Sequence, residues 1–279
     1  MRTLKAETVI PYVAKLCMDA NYHLGDDVYN AFKDFYAREE SPTAKAILEQ
    51  IMKNAEIAHH DEVPMCQDCG FAVYFVQKGV DLCIEGNLTE AINEGTRRGY
   101  TDGYLRKSIV EDPLRRVNTK DNTPAVIWYE DVPGDKLKIT IAPKGGGSEN
   151  MSEVKMLKPS DGAEGVKAFV VDRVLRSGAN PCPPVVVGVG IGGTFDKCAN
   201  IAKKALLREI GSKHPDPFYA EMEDELLERI NNLGIGPQGF GGRTTALDVF
   251  IEAHPCHIAS MPAAVNMQCH AARHKSVVV

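Results

Sequence analysis

Apolar positions recur at helical spacing through the first part of the chain. Val9, Val13, Leu16 and Cys17 fall on one face of a helix predicted over about 3–21. A second helix is predicted over 27–36. A third starts at Ser41, a cap with Pro42 just inside, and runs through Ala44, Ile47, Leu48 and Ile51. HHDEVPMCQDCG then lacks periodic apolar residues and reads as a loop, and 71–76 has strand composition. Asn87 or Thr89 caps a further helix through Ala91, Ile92 and Gly95 towards 104–109.

From Ala125 the period shortens. Segments 125–130 and 136–141 alternate around a DVPGD turn, which predicts a β-hairpin, and KGGGSEN follows as a glycine-rich turn. A helix over 162–176, a short β-branched strand over 183–190 and amphipathic helices over 194–210 and 217–233 come next. GIGPQGFGGR is loop, and 244–252 and 263–267 read as the last strands before an apolar, strand-like SVVV that invites pairing. Helices come first and mixed α and β second. The expected class is therefore α+β (mixed α/β), a helical amino-terminal region followed by a mixed-sheet region, divisible into two lobes. With no long linker, 1–279 is expected to be one domain.

Composition narrows the function classes. At 279 residues and 30.5 kDa the chain can bury a core, and 44% hydrophobic with 25% charged residues excludes fibrous or wholly disordered chains. A net charge of -6 gives no bulk attraction to nucleic acid or anionic membrane, so neither is an expected partner. No apolar run is long enough to span a bilayer, and the first residues carry no secretory block. A cytoplasmic location is expected, where the eight cysteines stay reduced.

Two patterns carry candidate chemistry. Gly188, Gly190 and Gly193 satisfy G-x-G-x-x-G between a strand and a helix. Against a nicotinamide site, no strand directly follows helix 194–210, no acidic residue ends a second strand, and the motif lies late in the chain. Cysteines supply the second pattern. Cys66 and Cys69 form a lone C-x-x-C, His254, Cys256, His257, Cys269 and His270 cluster near the carboxyl end, and Cys182 stands between Pro181 and Pro183. None of these spacings is that of a structural zinc site. An NAD-binding oxidoreductase and a non-catalytic metal-binding module remain the alternatives from other classes.

MCQDCG, KGGGSENMS, NPCPPVVVGVGIGGTFDKC and NMQCHAARH, in this order, closely resemble the iron–sulfur class I fumarate hydratases and the related L-tartrate dehydratases. The resemblance covers essentially the whole chain. It is to the amino-terminal half of the single-chain enzymes, which is a separate α subunit in the two-subunit members. It implies a four-iron, four-sulfur (4Fe–4S) cluster held by Cys66, Cys182 and Cys269. Three thiolates would leave one iron open, a Lewis acid for a substrate hydroxyl and carboxylate. One position departs from the family's CQDTG: Cys69 replaces the threonine, which makes it a rival ligand or a repair thiol, with Cys256 a weaker rival.

The resemblance also implies site residues. Asp68 and His257 would act in proton transfer or orientation, and Arg106 would bind a carboxylate. Gln67, Gly146 and Gly147 would bind the small dicarboxylate. His59 and His60 are uncertain supporting residues. The implied activity is reversible hydration of fumarate to L-malate, with L-tartrate dehydration as the alternative. A β subunit would supply the rest of the site, as an α2β2 heterotetramer by analogy, and the chain alone would be inactive.

Overall fold

The computed structural model describes residues 2–279. In chain order its elements are β1 (Arg2–Lys5), a 3-10 turn (Ala6–Val9), α1 (Ile10–Tyr22), α2 (Asp26–Arg38), α3 (Pro42–Asp61), β2 (Phe71–Gly79), β3 (Leu82–Glu85) and α4 (Leu88–Asp102). There follow β4 (Val126–Val132), β5 (Leu137–Lys144), α5 (Gly146–Glu149), β6 (Glu153–Leu157), α6 (Gly162–Ser177), β7 (Val185–Gly192) and α7 (Phe195–Ala205). The last are α8 (Pro217–Asn231), β8 (Ala246–His254), β9 (Met261–Gln268) and β10 (Lys275–Val278). The class is α+β, as expected. The chain divides into two compact units. One comprises the chain up to Leu24, Asn54–Gly146 and Arg273–Val279; the other comprises Gly25–Lys53 and Gly147–Ala272.

The first unit is built on a sheet of order β10-β5-β2-β4. Its core joins Tyr74, Val76, Leu137, Ile139 and Ile141 of the sheet to Val13, Leu16 and Cys17 of α1 and Ile92 and Tyr100 of α4. The predicted hairpin does not form. Strand β2 lies between its two arms, parallel to β4 and antiparallel to β5. The physical reason is burial: Ala72–Val76 is buried throughout and needs partners on both sides, whereas β4 carries exposed residues from Trp128 to Asp131 and suits an edge. The apolar chain end pairs with β5.

Element ends differ in informative ways. The first helix begins at Ile10, not at Thr3, because Pro11 sits in its opening turn and Arg2–Lys5 pairs in parallel with β3. Asn87, not Thr89, caps α4, its side chain accepting the Glu90 N–H at 3.2 Å. That helix stops at Asp102 with Gly103 behind it, short of the predicted end. Helix α3 extends through His59 and His60, which the periodicity placed in a loop. Helix α7 ends at Ala205, KGGGSEN contains the short α5, and β6 is an edge strand that its composition did not announce.

The second unit carries the sheet β6-β9-β7-β8. Val185, Val187 and Val189 face a core shared with Phe169 and Val170 of α6 and Leu226 and Ile230 of α8. The alternate positions explain the glycine motif. A Cβ at Gly188 would lie 2.1 Å from the Ala202 carbonyl oxygen, and one at Gly190 would lie 2.1 Å from that of Cys198. Those glycines let α7 pack directly on the strand. A parallel strand does return beside β7, but only as β8, after α7 and α8.

Within this unit Glu39 organises the glycine-rich segment before β8. Its carboxylate accepts N–H bonds from Glu40, Ser41, Arg243 and Thr244 and the Thr244 hydroxyl at 2.6 Å, and it is 3% exposed. Burial raises its pKa, but these donors together outweigh burial and hold it below the ordinary carboxylate value. The stability it contributes is fully present above the ordinary carboxylate pKa. It is lost as pH falls through the lowered folded value. Glu39→Gln, which turns an NH2 group toward donors, should cost about 2–3 kcal/mol in a urea titration.

Candidate active site

In the first unit the site is the loop that enters β2. Cys66 is half-buried, and its sulfur accepts the Asp68 N–H at 3.4 Å. Gln67 is exposed, its Oε1 accepting from the Cys66 thiol at 3.3 Å. The back of the loop is pinned by three side chains. Arg273 donates to the Asp68 carbonyl, Tyr100 to the Cys69 carbonyl at 2.9 Å, and Tyr100 and Asn122 to the Gly70 carbonyl at 3.2 Å each. Three consecutive carbonyls are thus fixed from α4, the 103–125 segment and the chain before β10. The Asp68 carboxylate is equally constrained: Oδ1 accepts the Gly70 N–H at 3.0 Å and Oδ2 accepts the Gly146 N–H at 2.8 Å.

Cys69 is turned the other way. It is 1% exposed, its sulfur accepts the Arg106 N–H at 3.1 Å, and burial raises its pKa despite that amide. A sulfur this deeply buried, already accepting an amide N–H, is poorly placed to reach a cluster. It does fix the backbone of Arg106, whose neighbour Leu105 is buried and whose guanidinium is exposed with no partner among the described residues. Cys69→Ala should therefore leave iron and sulfide content unchanged. It should raise the substrate KM several-fold, the loss of about 1 kcal/mol from one hydrogen bond to the Arg106 segment. Iron and sulfide analysis with steady-state kinetics checks both.

In the second unit the structure brings Cys182, Cys269 and Gly147 together. Cys182 is exposed and holds a left-handed φ of 56°, a strained state for a non-glycine residue. Its carbonyl accepts the His270 N–H at 3.1 Å, which ties it to the residue after the half-buried Cys269. Gln238 secures the next carbonyl, that of Pro183, through its main-chain N–H at 2.8 Å and its side-chain amide at 2.9 Å. A Cβ at Gly147 would lie 3.2 Å from the Asn180 carbonyl, so this exposed glycine opens α5 beside the Cys182 turn. His257 stands apart, on the exposed loop between β8 and β9. Its Nδ1 accepts the Ala259 N–H at 3.1 Å, which leaves the neutral ring's proton on Nε2, free to donate.

His59 and His60 are not part of either group. His59 instead meets His23, with the two Nδ1 atoms 2.9 Å apart, and His60 meets Asp61 at 2.6 Å. Cys17 and Cys198 are buried in the two cores, and the Cys256 thiol donates to the Ser260 carbonyl at 3.2 Å.

Thiolates are the usual donors to an iron–sulfur cluster. Among the described residues no three histidine, cysteine or acidic side chains are arranged around a single ion. The accessible donors are soft thiolates on rigidly held, separate turns.

The sequence matches the family described as "Fumarate hydratase (Fumerase)" over residues 10–278. The chain belongs to that family of hydro-lyases. It is 45% identical over 268 residues to the "Putative L(+)-tartrate dehydratase subunit alpha" of Methanocaldococcus jannaschii, covering 94% of both chains. It is 35% identical over 271 residues to the "L(+)-tartrate dehydratase subunit alpha" of Escherichia coli O157:H7, covering 96% of this chain and 89% of that one. These relatives are named for L(+)-tartrate, the second of the two substrates that the motif resemblance offered. No helix among the described residues is long and apolar enough to cross a membrane.

The pinning residues Arg273, Tyr100 and Asn122 were not singled out from sequence. Of the three, only Arg273 lies within one of the motifs, NMQCHAARH.

Proposed function

We propose that this chain is the α subunit of an L(+)-tartrate dehydratase that works with a β subunit as an α2β2 assembly. The observation that carries the substrate is the name shared by relatives at 45% and 35% identity over nearly the whole chain. In the reaction a proton leaves one carbon, the hydroxyl on its neighbour departs as water, and the resulting enol becomes a keto diacid. Cys66, Cys182 and Cys269 would hold a 4Fe–4S cluster, which when bound supplies a Lewis acid for the departing hydroxyl.

The chain's own groups divide the remaining work. Arg106 has an exposed, unpaired guanidinium suited to one substrate carboxylate. Asp68 is held on both oxygens, by Gly70 and Gly146, and is thereby oriented to accept or pass on a proton. Gln67 and Gly147 offer neutral donors to the dicarboxylate, and His257 offers its Nε2–H. Gly146 acts through Asp68.

The test is to co-express the chain with its β partner, reconstitute iron and sulfide anaerobically and assay dehydration of L(+)-tartrate. Activity in the pair and none in the α chain alone is expected. A reconstituted pair inert toward tartrate overturns the reading.

A further inference from the structure

Arg273 is 3% exposed, and it is the one described arginine with buried, unpartnered side-chain nitrogens: Nε and Nη1 make no hydrogen bond, while Nη2 reaches the Asp68 carbonyl. No carboxylate pairs with it. A guanidinium stays charged at any working pH, and an uncompensated buried charge costs several kcal/mol. Three other cations with little-exposed side chains are each matched by a carboxylate: Arg208 pairs with Glu223, Lys167 with Glu225, and Arg173 with Glu153. The exception sits directly behind the Cys66–Gly70 loop, close enough for its charge to bear on the Cys69 thiol and the Tyr100 hydroxyl.

We infer that Arg273 is a positioning residue for the substrate: its single bond fixes the Asp68 peptide, and its unmatched charge makes this loop attractive to a dicarboxylate that the chain's own acidic groups do not replace. This rests on the dicarboxylate reading above. The buried nitrogens do not touch the ligand. They act through the field at the loop, which a low-dielectric interior screens weakly.

The experiment compares wild-type, Arg273→Met and Arg273→Lys in the reconstituted αβ enzyme, using whichever of L(+)-tartrate and fumarate the wild type turns over. Arg273→Met should raise KM about tenfold, with kcat changed less than about threefold, a loss near 1.4 kcal/mol of binding. Arg273→Lys should restore KM to within about threefold. Iron content should be the same in all three proteins. An unchanged KM in Arg273→Met overturns the inference, and so does loss of iron, which would assign the charge to the cofactor.

Thermal melting of the apo α chain gives a second readout that does not depend on activity. Removal of an unmatched charge should leave Arg273→Met melting at or above wild type. A midpoint lower by more than about 4 °C, or failure to fold, marks a structural arginine and overturns the inference. If the wild-type pair turns over neither dicarboxylate, the functional reading falls, while a lowered melting midpoint overturns the inference on its own.

Discussion

Replacing Cys66, Cys182 or Cys269 by serine, one at a time, should abolish cluster absorbance and reduce activity by at least about three orders of magnitude in the reconstituted pair. The structure separates these thiols from the other five by setting. Cys66 and Cys269 are half-buried and Cys182 is exposed, and each lies on a turn whose backbone is tied down by hydrogen bonds within its own unit. Cys17, Cys69 and Cys198 are buried, and burial raises the pKa of each, to about 12 for Cys17. Serine at those three should disturb packing and leave iron content alone. Serine offers an alkoxide only at a prohibitive pKa, so it is a stringent replacement for a thiolate ligand. Retention of full iron and absorbance in any of the first three variants would remove that residue from the ligand set.

Asp68→Asn should lower kcat by about 10²–10⁴-fold while iron content stays at the wild-type level. Both Asp68 oxygens receive main-chain N–H groups, from Gly70 and Gly146. An asparagine must turn its NH2 toward one of those donors or rotate away, so the variant loses both the charge and the orientation. Within the loop Asp68 is also the residue whose carbonyl Arg273 holds, and the two substitutions should therefore couple more than additively. A kcat within about tenfold of wild type in a fully loaded Asp68→Asn enzyme would show that the proton passes through another group.

Most of the fold could be read from periodicity because most of its elements are amphipathic. The α1 face of Val13, Leu16 and Cys17, the strand at Val185–Gly192 and the helix at Pro217–Asn231 all stand where their apolar spacing placed them. What periodicity could not show was pairing across long separations. The turn 131–135 joins two strands that each pair with β2 rather than with one another: β2 is buried on both faces and takes a partner on each side, and the exposed β4 lies at the sheet edge. The same limit hid β8 beside β7, which two helices separate in sequence.

At the site, the sequence motifs located the cysteines and the glycine-rich turn but misassigned emphasis. G-x-G-x-x-G had the form of a dinucleotide fingerprint, against which its sequence context already weighed. Two of its glycines instead admit α7 against the sheet, which only the positions of Ala202 and Cys198 reveal. Cys69 stood as a rival ligand because it replaces the family's threonine, and its burial beneath the Arg106 amide argues for a supporting role. Arg273, Tyr100 and Asn122 were invisible as a group because they lie up to two hundred residues from the loop they hold. Hydrogen-bond satisfaction, and its failure at Arg273, is a property of the folded chain.

The central claim is tested most directly by the ratio of kcat/KM for L(+)-tartrate to that for fumarate, measured on the anaerobically reconstituted αβ enzyme. A ratio of at least about ten is expected, a difference of about 1.4 kcal/mol or more in transition-state binding. A ratio below one would contradict it and return the chain to fumarate hydration.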